Sequence, residues 1–192
     1  MTTITKLSQL DLNKSYTYAD YLMWQLKERV ELIKGKIMAM SPAPARMHQK
    51  ILRKINRAFD SHFAEHLCEV YFAPFDVRFP DEKGNIKTVV QPDLCVICDP
   101  SKLDDRGCLG APDLVVEILS PGNSKREMKD KFELYQENGV AEYWVVRPEE
   151  KNIQIFLLEK GKYIGLAPIT EGDMAASTRF PELRFSTETL FD

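Results

Sequence analysis

Apolar and polar positions in this chain follow two rhythms, and the switches between them mark its elements. Between Arg46 and Leu67, Ile51, Ile55, Ala58, Phe59 and Phe63 recur at helical spacing and predict the longest helix. A second helix starts at Ser124, where Glu127 three residues on makes a capping box; Met128, Phe132 and Tyr135 form its apolar face and Gly139 its stop. Thr17 and Asp20 open a short helix to about Leu26. Val30–Ile33 and Lys36–Met40 read as a hairpin turning at Gly35, ended by Ser41-Pro42-Ala43-Pro44. Glu69 to Phe79 supports a strand interrupted near Pro74, and Asp81 to Asn85 a turn. Glu142–Val146 and Asn152–Leu158 are further strands, with a hairpin partner at Tyr163–Ile169, while the tail to Asp192 shows no period.

Two apolar runs each carry Pro-Asp: Val89-Val90-Gln91-Pro92-Asp93-Leu94-Cys95-Val96-Ile97, and Pro112-Asp113-Leu114-Val115-Val116-Glu117-Ile118-Leu119, separated by the polar loop Asp99 to Gly110. Both read as buried strands. The resulting order of helix, three strands, helix and strand, with extra antiparallel strands at both ends, predicts an α/β or α+β fold in which helices flank a mixed central sheet.

With 192 residues, 44% of them hydrophobic, the chain can fill the core of one domain. The expected division is an N-terminal helix and hairpin (1–45), a core (46–148) and C-terminal strands with a tail (149–192). No apolar run approaches the roughly 18 residues of a membrane span, and the N-terminus lacks the pattern of a signal peptide, so a cytoplasmic protein without membrane contact is expected. The four cysteines, Cys68, Cys95, Cys98 and Cys108, are then expected as reduced thiols, and Cys95-x-x-Cys98 lacks the second pair a zinc knuckle needs. A net charge of −3 excludes a broad basic face for holding nucleic acid, so any such site must be local or assisted by cations.

An acidic residue inside an apolar strand run is costly to desolvate unless something offsets it. Glu117, between Val115-Val116 and Ile118-Leu119, is the clearest case; Asp93 and Asp113 can also be read as turn residues after proline. Asp113 and Glu117 share one face of a strand but stand about 13 Å apart by strand rise. Asp93 and Glu117 are therefore the pair expected to converge on a cation, with Asp113 at the rim. Hard oxygen ligands suit Mg²⁺ or Mn²⁺. On the helix from Ser124, Lys131 lies about 60° from the centre of the apolar face, Lys125 lies on the other flank at the helix start, and Lys129 is about 100° away. Lys131 is the inward candidate, although a lysine there can simply cover apolar surface. His48 falls within about 20° of Ile55 on the long helix and points inward too, either as a core histidine or as a partner for a carboxylate.

Pro112 to Ser124, then Lys129-Asp130-Lys131-Phe132-Glu133-Leu134-Tyr135 and Gly139-Val140-Ala141-Glu142-Tyr143-Trp144-Val145-Val146, resembles the Uma family of restriction endonucleases, within the PD-(D/E)XK nuclease superfamily. The likeness extends to Glu31-Leu32-Ile33-Lys34-Gly35-Lys36-Ile37, to Met40-Ser41-Pro42, to His48 and to Gln91-Pro92-Asp93. The resemblance implies a restriction-endonuclease-like core with Asp93 and Glu117 as metal-holding catalytic carboxylates and Glu31 as an added acidic residue. The lysine expected two residues after the glutamate is Leu119 here; the family pattern moves it to the next helix, where Lys131 matches. Lys125 and Lys129 become candidates for contacting substrate, and Asp113, His48 and Gln91 for supporting the site. DNA as substrate, Mg²⁺ or Mn²⁺ as cofactor, and a homodimer that supplies two sites for double-strand cutting complete the expectation. Two other readings are a catalytically idle relative that binds nucleic acid or a protein partner, and a hydrolase of other phosphate esters. Asp93, Glu117 and Lys131 together in one chain speak against the idle relative.

Overall fold

The computed structural model describes residues 3–40, 45–121 and 125–192, except for the side chains at 125 and 126. In chain order the elements are α1 (Tyr18–Tyr21), β1 (Val30–Ile33), β2 (Lys36–Ala39), α2 (Arg46–Phe63), β3 (Glu69–Phe72), β4 (Val77–Pro80), β5 (Ile86–Val90) and β6 (Leu94–Ile97). There follow β7 (Leu103–Asp104), β8 (Gly107–Leu109), β9 (Leu114–Ile118), α3 (Lys125–Glu137), β10 (Glu142–Arg147), β11 (Asn152–Glu159), β12 (Lys162–Gly165), β13 (Ile169–Thr170), β14 (Met174–Ala176) and β15 (Arg184–Ser186). The main sheet runs β12-β11-β10-β9-β6-β3, with β13 beside β11; a second sheet runs β2-β1-β5-β4-β8-β7. The main sheet is mixed: β9 and β10 are parallel, joined through α3, and their other neighbours are antiparallel. This is an α+β architecture.

Strand alternation decides which helix covers which face. Leu94, Val96, Leu114, Val116, Ile118, Trp144 and Val146 meet Ile51, Ile55, Phe59 and Phe63 of α2. Cys95, Ile97, Val115, Tyr143 and Val145 face Leu134 and Tyr135 of α3, together with Val77, Phe79 and Val90 of the second sheet. Glu117 shares the parity of Val115 and so points toward α3. That helix closes as a Schellman motif: the Val140 N–H reaches the Tyr135 carbonyl, the Gly139 N–H the Gln136 carbonyl, and Gly139 has φ +84°. The Ser124 capping position lies outside the described residues, as does the Ser41–Pro44 segment.

Several expectations change. The first Pro-Asp run is not one strand: Val89 and Val90 end β5 in the second sheet, Leu94 begins β6 in the main sheet, and Asp93 sits at the crossing. Pro92, which has no N–H for a ladder, suits that break. The interruption at Pro74 likewise sends β3 and β4 to different sheets. The short helix is one turn, capped by Thr17 and Asp20, because the chain beyond it pairs with the N-terminal segment through an Ile4–Trp24 bridge. The long helix ends at Phe63, leaving Leu67 exposed. The loop between the Pro-Asp runs holds the β7–β8 hairpin. Cys68 and Cys98 are joined as a disulfide, not held as free thiols, because pairing Glu69 with Ile97 sets them side by side on adjacent strands; Cys95 and Cys108 remain free and buried.

The tail without a period forms the β14–β15 hairpin and buries Leu183, Leu190 and Phe191 against the α2 side of the core. Its anchor is Glu142, which is fully buried. Oε1 accepts from the Trp144 indole N–H at 2.6 Å, and Oε2 accepts from Ser177 Oγ and from the backbone N–H groups of Thr178 and Arg179 at 2.8–3.1 Å. Truncation would orphan four donors at once. Glu142→Ala is expected to destabilise the protein by about 3 kcal/mol in urea unfolding, and to make the tail cleavable by protease before the core unfolds.

Candidate active site

The register of β6 against β9 pairs Leu94 with Val116, so one step further Asp93 stands across from Glu117. Glu31 arrives from the second sheet, where Leu32 of β1 pairs with Val89 of β5, and its Oε1 accepts the Gln91 N–H at 2.8 Å. Lys131 descends from α3 onto the same point. Its ammonium lies 2.8 Å from Glu117 Oε1 and 3.2 Å from Glu31 Oε1, and all three residues are buried. Tyr135, one helical turn past Lys131, donates its hydroxyl to Glu117 Oε1 at 2.7 Å. On the other side, Asp93 Oδ2 accepts the Ile118 N–H at 2.7 Å and faces His48 Nε2 at 3.1 Å. His48 Nδ1 is buried without a hydrogen-bond partner among the described residues.

These contacts share a pattern. Among the described residues they fall on one oxygen of each carboxylate: Oε1 of Glu31, Oδ2 of Asp93 and Oε1 of Glu117. Glu31, His48, Gln91, Asp93, Glu117 and Lys131 all line one pocket of about 110 Å³, and Arg29 stands on the same wall.

Two sequence candidates lie elsewhere. Asp113 accepts the Cys98 N–H and pairs with Arg179, so it ties the tail to the sheet instead of facing the pocket. Lys129 is exposed and pairs with Glu133 at 3.6 Å, because a position about 100° round the helix cannot reach the sheet. The Lys125 side chain lies outside the described residues. Sequence reasoning missed Tyr135 as a site group, taking it only as core; its spacing of four from Lys131 was the available signal. Arg29 shares with Glu31 the period-two spacing of a strand face, a weaker signal.

Electrostatically, three carboxylates confront one ammonium. Burial pushes the Glu117 carboxyl up, Lys131 opposes this, and Asp93 and Glu31 add to it, leaving Glu117 at about 7. Burial works against the Lys131 ammonium, but Glu117 and Glu31 outweigh it and hold the proton firmly. Burial and then the Glu117 charge keep the Tyr135 phenol protonated, as its donor role requires. Burial pulls His48 down, yet the hydrogen bond and charge of Asp93 pull harder and raise it above its ordinary value.

A family model described as "Uma2: Putative restriction endonuclease" matches residues 18–188. The chain belongs to the Uma2 family. The fold agrees: a crystal structure titled as a putative nuclease belonging to DUF820, from Anabaena variabilis, superposes with a TM-score of 0.72, covering 92% of this chain and 97% of that one at 21% identity. An uncharacterized Synechocystis protein, slr1290, is 27% identical over 140 residues, 71% of each chain. Membership supports a nuclease function for this Uma2 protein. Among the described residues no helix is long and apolar enough to cross a membrane.

Between about pH 4.5 and about 7 the folded protein keeps a proton on Glu117 that the unfolded chain has released, so the stability it contributes is complete below this window and lost as pH rises through it. His48, also raised, acts in the same direction. Chelator-treated protein should therefore lose urea stability as pH rises across that window, and Glu117→Gln should flatten the slope; an unchanged slope would place the titration elsewhere. Lys131→Met leaves buried carboxylates without their cation and should cost about 3–5 kcal/mol at neutral pH, with part of the loss regained on acidification.

Proposed function

We propose that this Uma2 protein is a divalent-metal-dependent DNA endonuclease, in which Asp93 and Glu117 hold the metal and Lys131 assists the chemistry. The observation that carries this reading is the buried Lys131 ammonium set among Glu117, Glu31 and Asp93 at the wall of a pocket.

The donor set suits a hard cation. Three formal carboxylate charges against one ammonium leave an excess of two, and the oxygens not taken by hydrogen bonds are of the kind Mg²⁺ or Mn²⁺ prefers. Among the described residues no three His, Cys, Asp or Glu side chains are grouped to hold an ion by themselves. Mg²⁺ fits that arrangement, because it is usually held by one or two carboxylates and completes its shell with waters and substrate phosphate. Bound there, it would neutralise phosphodiester charge and lower the pKa of an attacking water.

The protein's own groups have separable tasks. An ammonium has three N–H donors; Lys131 donates to Glu117 and forms an ion pair with Glu31, which leaves donor capacity for the attacking water or a phosphate oxygen. Glu31 and Tyr135 hold that ammonium and Glu117 in place. His48 and the Ile118 N–H hold one Asp93 oxygen, which leaves the other for the metal. Gln91 fixes Glu31 through its backbone N–H. A homodimer with two such sites is part of the same reading, since double-strand cutting needs one site per strand.

The test is nicking of supercoiled plasmid in Mg²⁺ or Mn²⁺. Wild type should cut, and Asp93→Ala, Glu117→Ala and Lys131→Ala should each lower the rate about 100-fold or more. In calorimetry, wild type should bind Mn²⁺ with proton release that fades above about pH 7, and Asp93→Ala should bind far more weakly. A plasmid left intact by wild type in both metals would overturn the reading.

A further inference from the structure

Beside the active-site pocket, and sharing Arg29 and Gln91 with it, lies a recess of about 230 Å³ whose walls are Tyr21, Trp24, Leu26 and Val30, with Glu28 also lining it. We propose that this recess receives one unpaired base of the DNA strand, from the nucleotide next to the scissile phosphate. The proposal rests on the nuclease reading for its strand and names the form that strand takes.

Three observations converge. First, the recess adjoins the reactive pocket, with Arg29 and Gln91 lining both. The Arg29 guanidinium donates to Gln91 Oε1 at 2.6 Å, while the Gln91 amide nitrogen contacts Asp76 Oδ1 at 2.8 Å and the Tyr21 hydroxyl at 3.4 Å. A guanidinium so placed, with donors still available, can take a phosphate oxygen between the two cavities. Second, two of the walls, Tyr21 and Trp24, are aromatic and packed against neighbours. Trp24 packs at 5.1 Å from Tyr16 and 5.9 Å from Tyr21, and its backbone is tied to Ile4. Aromatic faces bind bases of any sequence by stacking. Third, the volume is below the roughly 300–1,000 Å³ of pockets that take drug-sized ligands, so it suits one planar ring system. A base stacked in a duplex has no free face, so the occupant is single-stranded or swung out of its helix. Glu28 can accept from an exocyclic amino group, which adenine, cytosine and guanine carry and thymine lacks. The local cation and aromatic walls also answer the question raised by a net charge of −3: this surface grips a strand by stacking more than by bulk charge.

Trp144 is fully buried in the core, so of the two tryptophans only Trp24 can report on a ligand. The experiment measures anisotropy of short fluorescein-labelled oligo(dA), single-stranded and as its duplex with oligo(dT), in Ca²⁺ at low salt, and follows tryptophan emission with unlabelled strands. Single strand should bind more tightly than duplex and quench Trp24. Trp24→Ala should weaken single-strand binding roughly tenfold and abolish the quench, while Trp24→Phe, which keeps a stacking ring and the packing against Tyr16, should retain most of the affinity. Arg29→Gln should weaken both forms. Equal affinity for the two forms, undiminished binding by Trp24→Ala, or no rescue by Trp24→Phe would overturn the proposal. A protein that binds single strands through Trp24 but never nicks plasmid would sink the nuclease reading and leave the base recess standing; one that nicks plasmid while Trp24→Ala binds normally would do the reverse.

Discussion

One lysine ammonium placed among two buried carboxylates and a third that is partly buried is the constraint on which the rest of this structure depends. Each charge would be costly to bury alone, and each is tolerable here only because elements from distant parts of the chain deliver the others. β1 must pair with β5 for Glu31 to arrive, β6 must run antiparallel to β9 for Asp93 to face Glu117, and α3 must cross from β9 to β10 for Lys131 to descend. Lysine suits the position better than arginine would. Its compact head and three donors reach two carboxylates and still face the pocket, whereas a planar guanidinium favours one carboxylate in a fork.

The two sheets meet at this cluster. Glu31 comes from one and Glu117 from the other, and the Gln91-Pro92-Asp93 segment is the strap that passes between them. A rigid backbone crossing with no free N–H at Pro92 is a sound place for a group that must not move, and Asp93 is further held by the Ile118 N–H and His48. The carboxylates outnumber the one ammonium, and the proposed divalent cation would offset that imbalance.

Much of this could be read from residue order. Glu117 stood out because an acid in the middle of a Val/Ile run has no bland explanation, and Lys131 and His48 followed from helical angles alone. The likeness to the Uma family singled out Glu31 and explained why Leu119 stands where a lysine was expected. What resisted reading was pairing. Nothing local says that Val90 and Leu94 belong to different sheets, that Cys68 lies beside Cys98, or that Asp113 turns away to meet Arg179. Those facts depend on register between strands distant in sequence, and a period-two pattern carries no register across a long connection. The tail was illegible for a related reason: its order comes from donors converging on Glu142, and three-residue strands are too short to show a rhythm.

The order in which the site's members occur along the chain has its own consequence. Synthesis produces Glu31, His48, Asp93 and Glu117 before Lys131 and Tyr135, and the Glu142 anchor with its tail partners later still. A nascent or prematurely terminated product ending before α3 would hold the acids without their counter-ion, and mutual repulsion would keep them apart. Chain order thus delays assembly: the cluster of acids, lysine and tyrosine cannot close on the ribosome until α3 has been made.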